Sequence, residues 1–308
     1  MELTMSRTKK ISIGLLKLSA WFLLLIVADR IVFGVLAAGF DKYFGLEKQN
    51  EIVFIGNSRT ALGIDHKLVA KKTGKPCGKF ALNGANANNR LAMVRHTLAT
   101  QNQCKTIVFD VSGYSFNDKN LSAAAYTLLY PYLDSEPIEN HIKDEAQTWS
   151  ETLIRRMFCT TRFNSTTLGL SVRGWLGRDD NLKFSSVDLA RVQHRIDIGK
   201  AQSLIATDEG KQLLQDSIEA VSSQDRKIVL LHLPVVKLLN DQDRASHDAN
   251  ILIMKNMADS NANVFYLDYN TEYESNLEIM HDGIHLNANG KEILAGEIAN
   301  DLMQIAAE

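Results

Sequence analysis

Short apolar runs recur along this chain with room for a helix between each pair, and that alternation restricts the fold more than any other feature. The clearest runs are Ile52-Val53-Phe54-Ile55 within 51–56, then 106–111, 227–233 (ended by Pro234) and 264–268. Runs of this length bounded by polar and turn residues read as strands buried on both faces. A shorter strand is expected at 79–82. Between the runs the apolar period lengthens: Leu91, Val94 and Leu98 mark a helix over 88–100, and Leu214, Ile218 and Val221 mark another. Further helices are expected at 65–72 and 248–258. A last one starts at Asn289, capped by that side chain and closed by Glu292 in a capping box. Strands alternating with helices predict an α/β fold with a central parallel sheet. Residues 112–205 break the rhythm. They carry Tyr126, Tyr130, Tyr132, Trp149 and Trp175, and read as an irregular insertion over the sheet's carboxyl edge, of the kind that shapes substrate pockets.

The N-terminus obeys a different rule. Residues 11–28 are apolar apart from Lys17, with Arg7, Lys9 and Lys10 before them and Asp29-Arg30 after. About 20 apolar residues cross a bilayer, and a basic leader stays on the cytoplasmic side. The expected layout is a cytoplasmic leader at 1–10, a transmembrane anchor at 11–28 and a juxtamembrane linker at 29–50. An α/β domain over 51–308 would then lie outside the cytoplasm. A cleaved signal peptide, cut near Ala37-Ala38, is the competing reading. The formal net charge of -2 gives no basic field for nucleic acid. Cys77, Cys104 and Cys159 match no zinc spacing; Cys77 and Cys104 could pair, or all three could be buried thiols.

Two places carry candidate chemistry. Ser58 follows the first strand in Phe54-Ile-Gly-Asn-Ser-Arg-Thr60, and ligands of open parallel sheets bind beyond the carboxyl ends of the strands. A hydroxyl needs an adjacent base at neutral pH. His285 can be that base, and Asp282, three residues earlier, can hold the other ring nitrogen. Alternatively, Asn57 and Ser58 are only turn and cap residues. His281 and His285 also raise a metal site, but Gly283 disfavours a shared helical face and no third ligand is evident. Gly84 could offer its N–H with that of Ser58 to an oxyanion, with Asn86 adding an amide. Asn86 reads equally as a turn residue ahead of a helix.

These residues resemble a known family. Gly56-Asn57-Ser58-Arg59, Asn83-Gly84 and Asp282-Gly-Ile-His285-Leu-Asn-Ala-Asn-Gly290 look like blocks I, II and V of the SGNH (GDSL-like) hydrolases, in order from residue 51 to the C-terminus. The resemblance implies a flavodoxin-like three-layer α/β/α sandwich. It makes Ser58 the nucleophile, Asp282 and His285 its partners, and Gly84 an oxyanion donor, with no cofactor or metal. The anchor and the GNSR form of block I are similar to the bacterial-envelope branch, which adds or removes O-acyl groups on surface polysaccharides. The implied partners are an acylated glycan or other small ester, the membrane, and a membrane acyl-donor protein. Two departures stand out. Asn57 replaces the usual aspartate, and Asp110-Val-Ser-Gly-Tyr114 stands where block III supplies an asparagine, leaving Ser112 or Asn86 as replacements. The alternative is a catalytically silent envelope protein that keeps the crevice to bind glycan or an acyltransferase.

Overall fold

A computed structural model of the chain describes residues 2–117, 121–122, 124–146, 148–178 and 181–307. It opens with one long helix, α1 (Glu2–Phe44). The α/β unit follows as β1 (Ile52–Gly56), α2 (Ser58–Gly63), α3 (His66–Thr73), β2 (Cys77–Ala81), α4 (Ala87–Thr100) and β3 (Thr106–Val111). The insertion holds α5 (Glu136–Glu145), α6 (Trp149–Met157), α7 (Ser165–Trp175) and α8 (Leu189–Asp197), with 3-10 turns at Ala125–Tyr132 and Cys159–Arg162. After it come α9 (Asp208–Ser222), β4 (Lys227–His232), α10 (Lys237–Asp241), α11 (Arg244–Asp259), β5 (Val264–Asp268), α12 (Asn270–Tyr273) and α13 (Ala288–Ala307).

The sheet has five strands in the order β2-β1-β3-β4-β5, every neighbouring pair parallel. Successive residues of each strand enter different cores, as the pleat requires. Val53, Ile55, Ile107, Phe109, Ile228 and Leu230 meet α4, α9 and α11 on one face. Ile52, Phe54, Val108, Val229 and Leu231 meet α3 and α13 on the other. Both faces being covered explains why the strands read as predominantly apolar runs.

Four expectations need correction. Most of the segment 29–50 is not a linker: α1 continues unbroken to Phe44, leaving only 45–50 of it to lead towards β1, and Phe40, Tyr43 and Phe44 lie in the first core. Its charged pair, Asp29-Arg30, does not end the helix because Asp29 is satisfied by the insertion. Its carboxylate accepts the N–H groups of Cys159 and Thr160, at 2.7 and 3.0 Å, and the Thr160 hydroxyl at 2.5 Å. The second strand begins at Cys77. Lys79, which breaks the apolar pattern there, is buried with its ammonium donating to the carbonyls of Ala61 and Ile64. The last helix is capped by Asn287 rather than Asn289: the Asn287 side chain accepts from Gly290 N–H at 3.0 Å and donates to the Glu278 carbonyl at 2.7 Å. Finally, the insertion does not lie wholly over the carboxyl edge. Much of it packs on α1 and α4, while Tyr114 at its start and the stretch around α8 reach the loop that carries Asp282. The three cysteines are buried thiols that form no disulfide.

Candidate active site

The turn after β1 is built for a close approach. A Cβ on Gly56 would sit 1.9 Å from the Thr60 hydroxyl and 2.9 Å from the Asp110 side chain, so only glycine fits. Asn57 then caps α2, its side-chain oxygen accepting from Arg59 N–H at 3.0 Å. Ser58 is the first residue of α2, at the carboxyl end of a central strand. The asparagine that replaces the expected aspartate thus keeps the capping function, which needs an acceptor and not a charge.

The second half of the site is a short closed loop. A bridge joins Met280 to Leu286, and His281 N–H donates to the His285 carbonyl at 2.8 Å. Within the loop one oxygen of Asp282 accepts the N–H groups of Ile284 and His285, each at 2.9 Å. The other lies 2.9 Å from His285 Nδ1. His285 Nε2 in turn lies 2.8 Å from Ser58 Oγ. Ionised, Asp282 can only accept, so Nδ1 carries the ring proton and Nε2 is left to accept from the serine hydroxyl. Burial acts to raise the Asp282 pKa. The imidazole and the two loop N–H groups outweigh it and hold the carboxyl down at about 2. The structure therefore brings Ser58, His285 and Asp282 into one hydrogen-bonded line, with the nucleophile–base–orienter geometry that activates a serine.

The other sequence candidates fall differently. Gly84 has φ +75, the left-handed region, and its Cβ would meet Ser122, so glycine is required there by backbone geometry. The side-chain oxygen of Asn86 caps α4 by accepting from Asn89 N–H, which is the turn-and-cap reading of that residue. Neither Gly84 nor Asn86 lines the cavity in front of Ser58. Ser112 does, but its N–H is bonded to Ser115 Oγ and its hydroxyl accepts from Tyr114 N–H. His281 is bonded to Ser185 of the insertion, so the two histidines that raised a metal site are committed to separate partners.

Sequence reasoning gave no role to the buried charges behind the serine. Arg59 donates to the Leu233 carbonyl at 2.7 Å and approaches Asp110 at 3.5 Å, with side-chain exposures of only 7% and 2%. Arg90 donates to the Asp110 backbone carbonyl at 2.7 Å. Burial pushes the Asp110 carboxyl up, opposed by Arg59 and Arg90. Two arginines thus converge on Asp110 behind the serine. The adjacency of Arg59 to Ser58 was the one available signal; Arg90 reaches the site only through the packing of α4.

Two cavities open here. One of about 40 Å³ lies at Ser58, walled by Arg59, Arg90, Ser112 and Tyr114 among others. The second, about 480 Å³, runs between α8 and the 281–284 loop, and shares Tyr114, Gln202 and Ile284 with the first. Comparison with models of known families finds none that matches this chain, and comparison with curated proteins likewise finds no match.

Proposed function

We propose that this chain is an SGNH-type serine esterase or O-acyltransferase that acts outside the cytoplasm on acyl esters of envelope glycans. The observation that carries the reading is the Ser58–His285–Asp282 line, with contacts of 2.8 and 2.9 Å. Ser58 Oγ attacks the ester carbonyl as His285 Nε2 takes its proton, and Asp282 stabilises the imidazolium. Collapse of the tetrahedral intermediate expels the alcohol, which receives that proton, and leaves an acyl-serine. Water then completes hydrolysis, or a sugar hydroxyl completes transfer. The Ser58 N–H is the proposed oxyanion donor, with the Arg59 and Arg90 side chains lining the same cavity where the family has an asparagine; the family's second donor, Gly84, lies outside that cavity. The strand order 2-1-3-4-5 is that of flavodoxin-like sheets, whose ligands bind where the order reverses beside the first strand, and Ser58 leaves that strand. The cavity at Ser58 has space for an acetyl group and little more, while the larger cleft has room for a sugar.

The N-terminal helix supports a single membrane anchor over a cleaved signal. Apart from Lys17 and the Asp29-Arg30 pair, it is apolar and largely exposed from Ile13 to Val35. Cleavage near Ala38 would remove Asp29, Val35 and Leu36, all of which hold the insertion.

A second reading, a catalytically silent protein that binds glycan or a membrane acyltransferase, is favoured by the end of β3. There no asparagine stands, and the Ser112 N–H is already engaged. The two readings separate on a fluorophosphonate probe. The wild-type chain is expected to be labelled and Ser58→Ala is not; an unlabelled, folded wild-type protein would leave only the silent reading. With labelling established, acetate release with and without a glycan acceptor distinguishes transfer from hydrolysis.

A further inference from the structure

The exposed half of α1 does not stand alone. Phe158 at the end of α6 stacks edge-on against Phe22, and Arg30 donates to the Arg156 carbonyl at 3.0 Å. Farther along, Phe163 meets Phe33, Ser171 donates to the Leu36 carbonyl at 2.7 Å, and Trp175 donates to the Val35 carbonyl at 3.0 Å. The insertion therefore flanks α1 from residue 22 to its buried end.

The outward faces of these flanking helices are apolar. On α7 and just beyond it, Leu168, Val172, Trp175 and Leu176 are exposed at helical spacing, while Thr167, Ser171 and Gly174 are buried. On α6, Leu153, Ile154 and Met157 are exposed beside Arg155 and Arg156. This apolar surface is continuous with that of α1, since Trp175 bonds directly at Val35. Scattered exposed apolar residues need no explanation, but a contiguous patch of this kind marks an interaction surface.

The length of α1 says what covers it. From Ile13 to Val35 the exposed apolar stretch rises about 33 Å at 1.5 Å per residue, close to the ~30 Å hydrocarbon thickness of a bilayer. Residues 22–35 then lie in the half of the bilayer nearer the domain, and whatever flanks them lies there too. Asp29 fits this placement: a carboxylate at membrane depth must be paired inside protein, and the Cys159–Thr160 turn supplies two N–H groups and a hydroxyl. Amphipathic helices with basic residues beside an apolar face settle at the headgroup boundary in the same way.

We infer that α6 and α7 form a lipid-facing collar around α1, seated in the outer leaflet, so that the domain is partly embedded in the bilayer rather than held above it. The inference rests on the anchor reading of α1 and on no catalytic assignment. The full chain is reconstituted in phosphatidylcholine/phosphatidylglycerol vesicles and spin-labelled at one introduced cysteine, the native thiols being buried. The variants are Ile154→Cys and Leu176→Cys in the collar, Leu23→Cys as the lipid reference, and Leu252→Cys on α11 as the water reference. Collar labels are expected to resemble position 23, accessible to oxygen and shielded from a water-soluble nickel complex. Labels at 154 and 176 that behave like position 252 overturn the collar alone. Labels shielded from both reagents assign the surface to a protein partner and overturn it as well. Position 23 open to the nickel complex overturns the anchor reading beneath it.

Discussion

His285 sits between two residues that use its ring nitrogens in opposite senses, and Asp282 decides which nitrogen is basic. An asparagine at 282 would present an amide to Nδ1 as readily as a carbonyl, allowing the ring proton to move to Nε2, where it blocks Ser58. Asp282→Asn is therefore expected to lower kcat on an aryl acetate by on the order of 10³–10⁴, with the fold intact by circular dichroism. A loss below tenfold would mean that Asp282 does not orient the base. All three of these residues were legible in the sequence because each follows a strand signal or sits in a short turn-rich loop. Arg59 and Arg90 were not, since their significance comes from burial beside Asp110, and burial of a charge leaves no mark on local periodicity.

Among the elements, the strand runs at 52–55 and 106–111 were readable because burial on both faces leaves them mostly apolar, Thr106 and Asp110 being the exceptions. The β2 strand was half hidden by Lys79, an apparent surface residue whose ammonium finds the carbonyls at the end of α2. The α1 helix was cut short in the sequence for the same reason. Asp29 and Arg30 look like a stop signal until Cys159, 130 positions away, supplies the partner. That dependence can be tested. Asp29→Ala leaves the buried Cys159 N–H and the part-buried N–H and hydroxyl of Thr160 without this acceptor, at roughly 1–3 kcal/mol for the buried group. Limited proteolysis of the detergent-solubilised chain is expected to cut faster within 150–176, with Asp29→Asn, which keeps one acceptor oxygen, intermediate. Equal cutting of all three proteins would show that the turn is held by other contacts.

Taken whole, the molecule carries several histidines that its folding makes costly to charge. Burial holds His66 down at about 3, helped by Lys79, and His96 and His232 at about 4. In the unfolded chain each takes a proton near pH 6.5. Neutral burial is fully compatible with the fold above that value, and its contribution is lost progressively as the pH falls from about 6.5 towards 4, because only the unfolded state binds the protons. The unfolding midpoint is accordingly expected to drop steadily across that window when followed by scanning calorimetry in detergent. A midpoint independent of pH between 7 and 4.5 would contradict this. Asp282, ionised down to about 2, takes no part in that loss.

Because α1 passes into the first core without a break, with Phe40 and Phe44 fully enclosed, Ser58 has no tether on which to roam. A domain on a flexible stalk samples a hemisphere of positions; one fused to a stiff mast is held at a single elevation and heading. Swapping residues 45–50 for a longer spacer would leave the elevation unchanged, because α7 and the 159–162 turn already grip the mast ahead of that point, at Leu36 and Asp29.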